Sequence, residues 1–157
     1  MSYPNWLPDI FPVSPWTEYT YDELYHLFHR DFIKSQPVYL SYAVWFFPEK
    51  ENGKEKLFWH LTSRDDTENG ERLPDLRRCE RLPWARPMLE NPQDPEMLAW
   101  DYNEGDGSVR TYVWLKNYCF VIIMKKYPNG SRRMVTSFYV DYPHTGRNLM
   151  KKYNRRL

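Results

Sequence analysis

An α+β domain is expected for this chain, an antiparallel β-sheet meander with N-terminal, middle and C-terminal helices packed against it. Three observations carry the expectation. The chain has 157 residues, a length that a single hydrophobic core fills. From residue 96 to 141, runs of β-branched and aromatic residues alternate with clusters of Gly, Asn, Asp and Pro, the pattern of consecutive strands and turns. Before and after that stretch, apolar residues recur at helical spacing.

The first nineteen residues hold prolines at 4, 8, 12 and 15 with Trp6, Phe11 and Trp16 between them. Proline at this spacing forbids a helix, so an extended arm packed on the domain through its rings is expected. Thr20 and Glu23 form a capping box, and Leu24, Leu27, Phe28 and Phe32 make one apolar stripe, which predicts a helix over 21–34. After Pro37 the period changes. Val38 to Phe47 and Leu57 to Thr62 read as two antiparallel strands, with a hairpin signal at Asn52-Gly53 between them. Residues 64–72 are polar and read as loop. Pro74-Asp75 opens a helix to about Leu82, which Pro83 and Pro87 stop.

Residues 91–95, with two prolines, connect to the meander. Its runs are Met97 to Tyr102, Val109 to Lys116, Tyr118 to Lys126 and Arg133 to Asp141, separated by Glu104 to Gly107, by Asn117 and by Pro128 to Ser131. A single residue at Asn117 is short for a hairpin, so the two middle runs read either as a hairpin or as one long bent strand. A basic helix over 144–155 closes the chain with Leu149, Met150 and Tyr153 inward. All helices are expected on one side of the sheet. The whole reads as one domain over 1–157, divided into the arm at 1–19, a helix and first strand at 20–56, and the remainder at 57–157.

Aromatic residues make up 18% of the chain and hydrophobic residues 41%, too many for intrinsic disorder. The formal charge of +1 conceals a division. Residues 108–157 carry 11 basic residues and one acid, Asp141, so this third is net +10 and the rest of the chain net −9. Such asymmetry points to a polyanion or an acidic partner, or else to a basic tail folded onto its own acidic remainder. Cys79 and Cys119 match neither a disulfide framework nor a CxxC metal spacing and read as buried thiols in a reducing compartment. No secretory signal is visible, and the longest apolar run, Tyr118 to Met124, is too short to span a bilayer. A cytoplasmic protein without membrane contact is expected.

Three features could carry chemistry. Five arginines lie between Arg72 and Pro87, and on a helix Arg77 and Arg81 share a face, a paired guanidinium site suited to phosphate. The same arginines could instead pair with Asp75 and Glu80. His60 ends the run from Phe58, where a strand enters a loop and a general base can meet solvent. His26 and His29 are three apart but lack companion ligands, so a structural role is expected for them. In Met134 to Val140, alternation sets Thr136, Phe138 and Val140 on one face and Val135, Ser137 and Tyr139 on the other, so either Thr136 or the Ser137 and Tyr139 pair presents hydroxyls to a cleft.

This order resembles the small ribonucleases of the barnase, EndoU, colicin and RelE superfamily, in particular phage and bacterial toxin versions. Those domains have helices followed by an antiparallel meander of about four strands. Met134-Val-Thr-Ser-Phe-Tyr-Val140 echoes a Leu-Val-Thr-Ala-Tyr-Pro-Val motif of such toxins, and Lys151-Lys-Tyr-Asn-Arg-Arg156 is similar to their final helix. The likeness covers about residues 57–156. Ser137-Phe138-Tyr139 departs from the Ala-Tyr-Pro of the motif. The resemblance implies that His60 is the catalytic histidine, Arg77 or Arg81 the phosphate-binding cation and Thr136 the late-strand hydroxyl, in a toxin or defence protein.

RNA cleavage by its own 2′-hydroxyl needs a base, an acid and fixed cations but no metal or cofactor. On this reading His60 is base or acid, Arg77 and Arg81 stabilise the phosphate, and Thr136 or Tyr139 orients it. Arg110, Lys116, Lys125 and Arg132 track the backbone, and Tyr112 or Trp114 stacks a base. Two other classes use the same residues. One is a non-catalytic module for RNA or single-stranded nucleic acid. The other is an interaction component of a mobile element or defence system that meets an acidic protein such as an antitoxin.

Overall fold

The computed structural model describes residues 3–66 and 68–157. Its elements are α1 (Thr20–Phe28), β1 (Val38–Tyr39), β2 (Tyr42–Trp45), the ribbon β3 (Lys50–Glu51) and β4 (Lys54–Glu55), α2 (Lys56–Thr62), a second ribbon β5 (Ser63–Asp65) and β6 (Arg72–Pro74), α3 (Leu76–Arg81) and α4 (Ala85–Glu90). The meander β7 (Leu98–Asn103), β8 (Val109–Leu115), β9 (Phe120–Lys126) and β10 (Arg132–Tyr139) follows, and α5 (Pro143–Asn154) closes the chain. The fold is α+β. Six strands form the main sheet in the order β1-β2-β10-β9-β8-β7, antiparallel except where β2 runs parallel to β10.

Period-two alternation in β8 and β9 serves two cores at once. Val113, Leu115, Phe120, Ile122 and Met124 join Leu24, Phe28, Phe58 and Trp84 on the face covered by α1 to α4. Tyr112, Trp114, Val121 and Ile123 meet Leu149, Met150 and Tyr153 of α5 on the other. Helices therefore cover both faces, not one. A strand buried on both sides reads as a continuous apolar run, and β9 does so from Phe120 to Met124.

The arm lies along the first face. Phe11 donates its backbone N–H to the Glu80 carbonyl, and the Trp84 indole donates to the Pro8 carbonyl. Val13 enters the core, and the Trp6 indole donates to Asp94.

Two local expectations are corrected. Leu57 to Thr62 is helix α2, not a strand. The Asn52-Gly53 turn joins β3 to β4, and the apolar run that follows buries Leu57, Phe58 and Leu61 at helical spacing against Tyr25 and Phe28. The middle runs of the meander are two strands. A 3-10 turn over Lys116–Tyr118 and left-handed Cys119 at φ 59° close a hairpin in which Leu115 pairs with Phe120. At the next turn Gly130 holds φ 90°, and a Cβ there would clash with the Tyr42 ring.

Candidate functional site

The five arginines between Arg72 and Pro87 are employed within the fold. Asp75 caps α3 by accepting from the Arg78 N–H. That helix places Arg78 to donate to the carbonyls of His60 and Ser63 at 2.8 and 3.0 Å. Arg72, opposite on β6, donates to the carbonyls of Trp59 and Ser63. The two guanidinium groups thus bond carbonyls at and just beyond the C-terminal end of α2, where positive charge is favoured. Arg86 does the same after α1, donating to the Asp31 and Ser35 carbonyls. Arg77 and Arg81 pair with Glu80 and lie over the Tyr139 ring at 5.2 and 4.6 Å. They are neighbours, as their spacing predicts, but their shared contacts are Glu80 and Tyr139.

His60 stands on the last turn of α2 rather than at a strand end. Its backbone carbonyl, not its ring, contacts the other candidates: it accepts from Arg78 and, at 3.4 Å, from the Thr136 hydroxyl beside a β-bulge in β10. The imidazole is exposed and borders a cleft of about 410 Å³ that Glu49, Lys56, Arg133 and Thr136 also line. Partial desolvation, with the positive charges of Arg72 and Arg78, holds the His60 pKa below the ordinary 6.5. The ring is therefore neutral at pH 7, the state a general base needs.

The meander residues expected to meet nucleic acid divide into two groups. Tyr112, 2% exposed, stacks on Trp100 beneath α5, and its hydroxyl bonds Glu104 and Lys152. Trp114 is 3% exposed, so neither ring offers a free stacking face. Arg132, also 3% exposed, donates to the Gly130 carbonyl and Thr111 hydroxyl and pairs with Asp101. Burial pushes the Asp101 carboxyl up, but bonds from Thr111 and Lys126 and the nearby Arg132 outweigh it and hold the pKa below the ordinary 3.8.

The remaining cations are placed differently. Of the 11 basic residues in 108–157, Lys126, Arg132 and Lys152 pair with Asp101 or Glu104. Among the described residues, the other eight form no ion pair. The register aligns three of these, Arg110, Lys125 and Arg133, directly opposite one another across β8, β9 and β10, with Tyr102 and Trp45 at the ends of the row. Opposed residues project from the same face. The row lies on the α5 side of the sheet, in line with Tyr112 and Ile123 along β8 and β9. Lys125 lies 5.4 Å from the Tyr127 ring and Arg133 4.6 Å from the exposed Phe47 ring. Trp45 packs on both rings.

Sequence reasoning chose Arg132 and missed Arg133. Alternation puts the two on opposite faces, but only the cross-strand partners reveal which one is buried with Asp101. Lys56 and Glu49 were also missed, because their cleft depends on α2 being a helix.

Among the described residues, no group of three His, Cys, Asp or Glu side chains could hold a metal ion, and no helix is long and apolar enough to cross a membrane. In comparisons with known proteins, no family model, curated protein or solved structure matches this chain.

Proposed function

We propose that this protein binds single-stranded nucleic acid, RNA in particular, across the row Arg110, Lys125 and Arg133. The single observation that carries the reading is that these three cations stand directly opposite one another without an acidic partner among the described residues, beside the rings of Phe47 and Tyr127. Like charges facing each other on adjacent strands cost stability. A string of phosphates relieves that repulsion, and adjacent aromatic faces stack unpaired bases.

A second reading, metal-independent cleavage of the bound RNA, is favoured by the His60 cleft at the end of the same row. Arg133 belongs to both. Neutral His60 would take the proton of a 2′-hydroxyl as its oxygen attacks phosphorus, and Arg133 and Lys56 would hold the charge that builds on the phosphate. The 5′-oxygen then leaves with a proton from an acid or water. Arg77 and Arg81 have no place as phosphate ligands in this version, since Glu80 and Tyr139 engage them.

Incubating a labelled RNA with the protein in EDTA separates the two. Binding alone returns the RNA intact. Cleavage should instead be lost in His60→Ala, a change that keeps the backbone carbonyl bonded to Arg78 and Thr136, and should fall as pH drops through the lowered pKa of His60. Cleavage that persists in His60→Ala removes that residue from the mechanism.

A further inference from the structure

We propose that the groove between α5 and the β8–β9 turn is a binding site for a small organic anion with a flat apolar body. The site lies at the other end of the α5 face and does not rest on the nucleic-acid reading. Its volume is about 630 Å³, within the range of small-molecule sites. The apolar lining comes from Trp114 and Cys119 of the hairpin, Val140 after β10, and Met150 of α5. Lys116, Arg147 and Lys151 stand on the rim, and none of the three forms an ion pair among the described residues. Asp141 is the one acid among the lining residues, so the balance at the rim is positive. The N-terminus of α5 opens onto the same groove without a side-chain cap, which adds its dipole to that charge.

Two further observations point to an occupant. Gly146 lies within α5, where glycine weakens a helix. It lines the groove, and a Cβ there would meet only Val140, at 4.0 Å. Nothing in the packing requires the missing side chain, and its absence keeps the groove open. The Trp114 indole N–H, buried beside the apolar floor, has no acceptor among the described residues. Few polar groups converge on the floor, so an apolar ring system fits it better than the hydrogen-bonding edges of a nucleobase, while the rim selects a carboxylate or sulfonate.

8-Anilinonaphthalene-1-sulfonate is a suitable probe, with N-phenyl-1-naphthylamine as its uncharged counterpart. The sulfonate should bind saturably at one site per chain. Joint Arg147→Ala and Lys151→Ala substitution should weaken it by about tenfold or more, the size of one lost charged hydrogen bond, while the uncharged probe loses about twofold at most. Gly146→Leu should fill the groove and abolish binding of both, with thermal stability kept or raised and RNA affinity unchanged. Of the two cysteines, Cys79 is buried, so thiol modification reports on Cys119 at the groove, and the bound probe should slow it. The proposal is overturned if binding is unsaturable, if Gly146→Leu binds like wild type, or if losing the cations weakens both probes equally. Displacement of the sulfonate by RNA, one for one, would likewise overturn a separate anion site.

Discussion

The arginines between Arg72 and Pro87 and the cations after Ser108 are chemically alike but face different things. The first group, apart from the exposed Arg77, looks inward. Arg72 and Arg78 bond the last carbonyls of α2, Arg86 bonds those after α1, and Arg81 is held by Glu80 between two rings. In the second group Arg110, Lys125 and Arg133 have one another as cross-strand neighbours. A dense arginine run is therefore no measure of a binding surface. The informative property is a cation left without a carbonyl or carboxylate, and that depends on which strand residue a turn or helix places opposite it.

This contrast makes graded predictions. The largest effect is expected at Arg78. Arg78→Ala strips donors from the carbonyls of His60 and Ser63 and should destabilise the protein by about 2 to 3 kcal/mol in denaturant unfolding, with RNA affinity unchanged. An equal loss of RNA affinity at conditions where the variant is fully folded would erase the distinction between the two groups.

Asp101 sharpens the comparison from the acidic side, because it holds Lys126 and Arg132 away from solvent anions. Its folded pKa is depressed, so its contribution is complete above the unfolded value and is lost as pH falls through the folded one. Asp101→Asn should cost about 1 to 2 kcal/mol at pH 7, since Arg132 stays buried without its counter-charge. The variant should then lose less stability than wild type on acidification below about pH 4. Parallel acid limbs for the two proteins would contradict the assignment.

The smallest effect has the opposite sign. Lys125→Gln removes the central charge of a like-charged row and should stabilise by a few tenths of a kcal/mol up to about 1, while weakening RNA binding. A thermal melt shows it directly. Destabilisation would mean that Lys125 serves the sheet and not a ligand.

Much of the fold was legible in the residues themselves. The helix opened by Pro74-Asp75 and the four runs of the meander rest on local chemistry, and each stands within a few residues of where that chemistry puts it. Helix α1 also starts where expected, but Thr20 lies inside it and the expected capping box does not form, since its N-cap Tyr19 makes no side-chain cap bond. Leu57 to Thr62 was not legible, because a six-residue run with four apolar side chains fits either period and the packing of Phe58 among Tyr21, Tyr25 and Phe28 decides. The site was legible in outline only. Tyr112 and Trp114 share one face of β8, but nothing local to that strand says that α5 covers it. The +10 block signalled positive charge, and the division among the described residues into three cations paired with acids and eight without an ion pair depends on where the folded sheet and α5 place Asp101 and Glu104.

The central claim is that the row of Arg110, Lys125 and Arg133 meets phosphates and that the arginine-rich segment does not. The direct test is the salt dependence of binding to a fluorescent single-stranded RNA. Replacing all three row residues by alanine should flatten the slope of log affinity against log salt by about 2, at about 0.7 per phosphate contact on a single strand. Arg77→Ala, which removes the most exposed cation of the pair on Tyr139, should leave the slope as it is. An unchanged slope in the triple variant, or an equal fall in Arg77→Ala, would contradict the account.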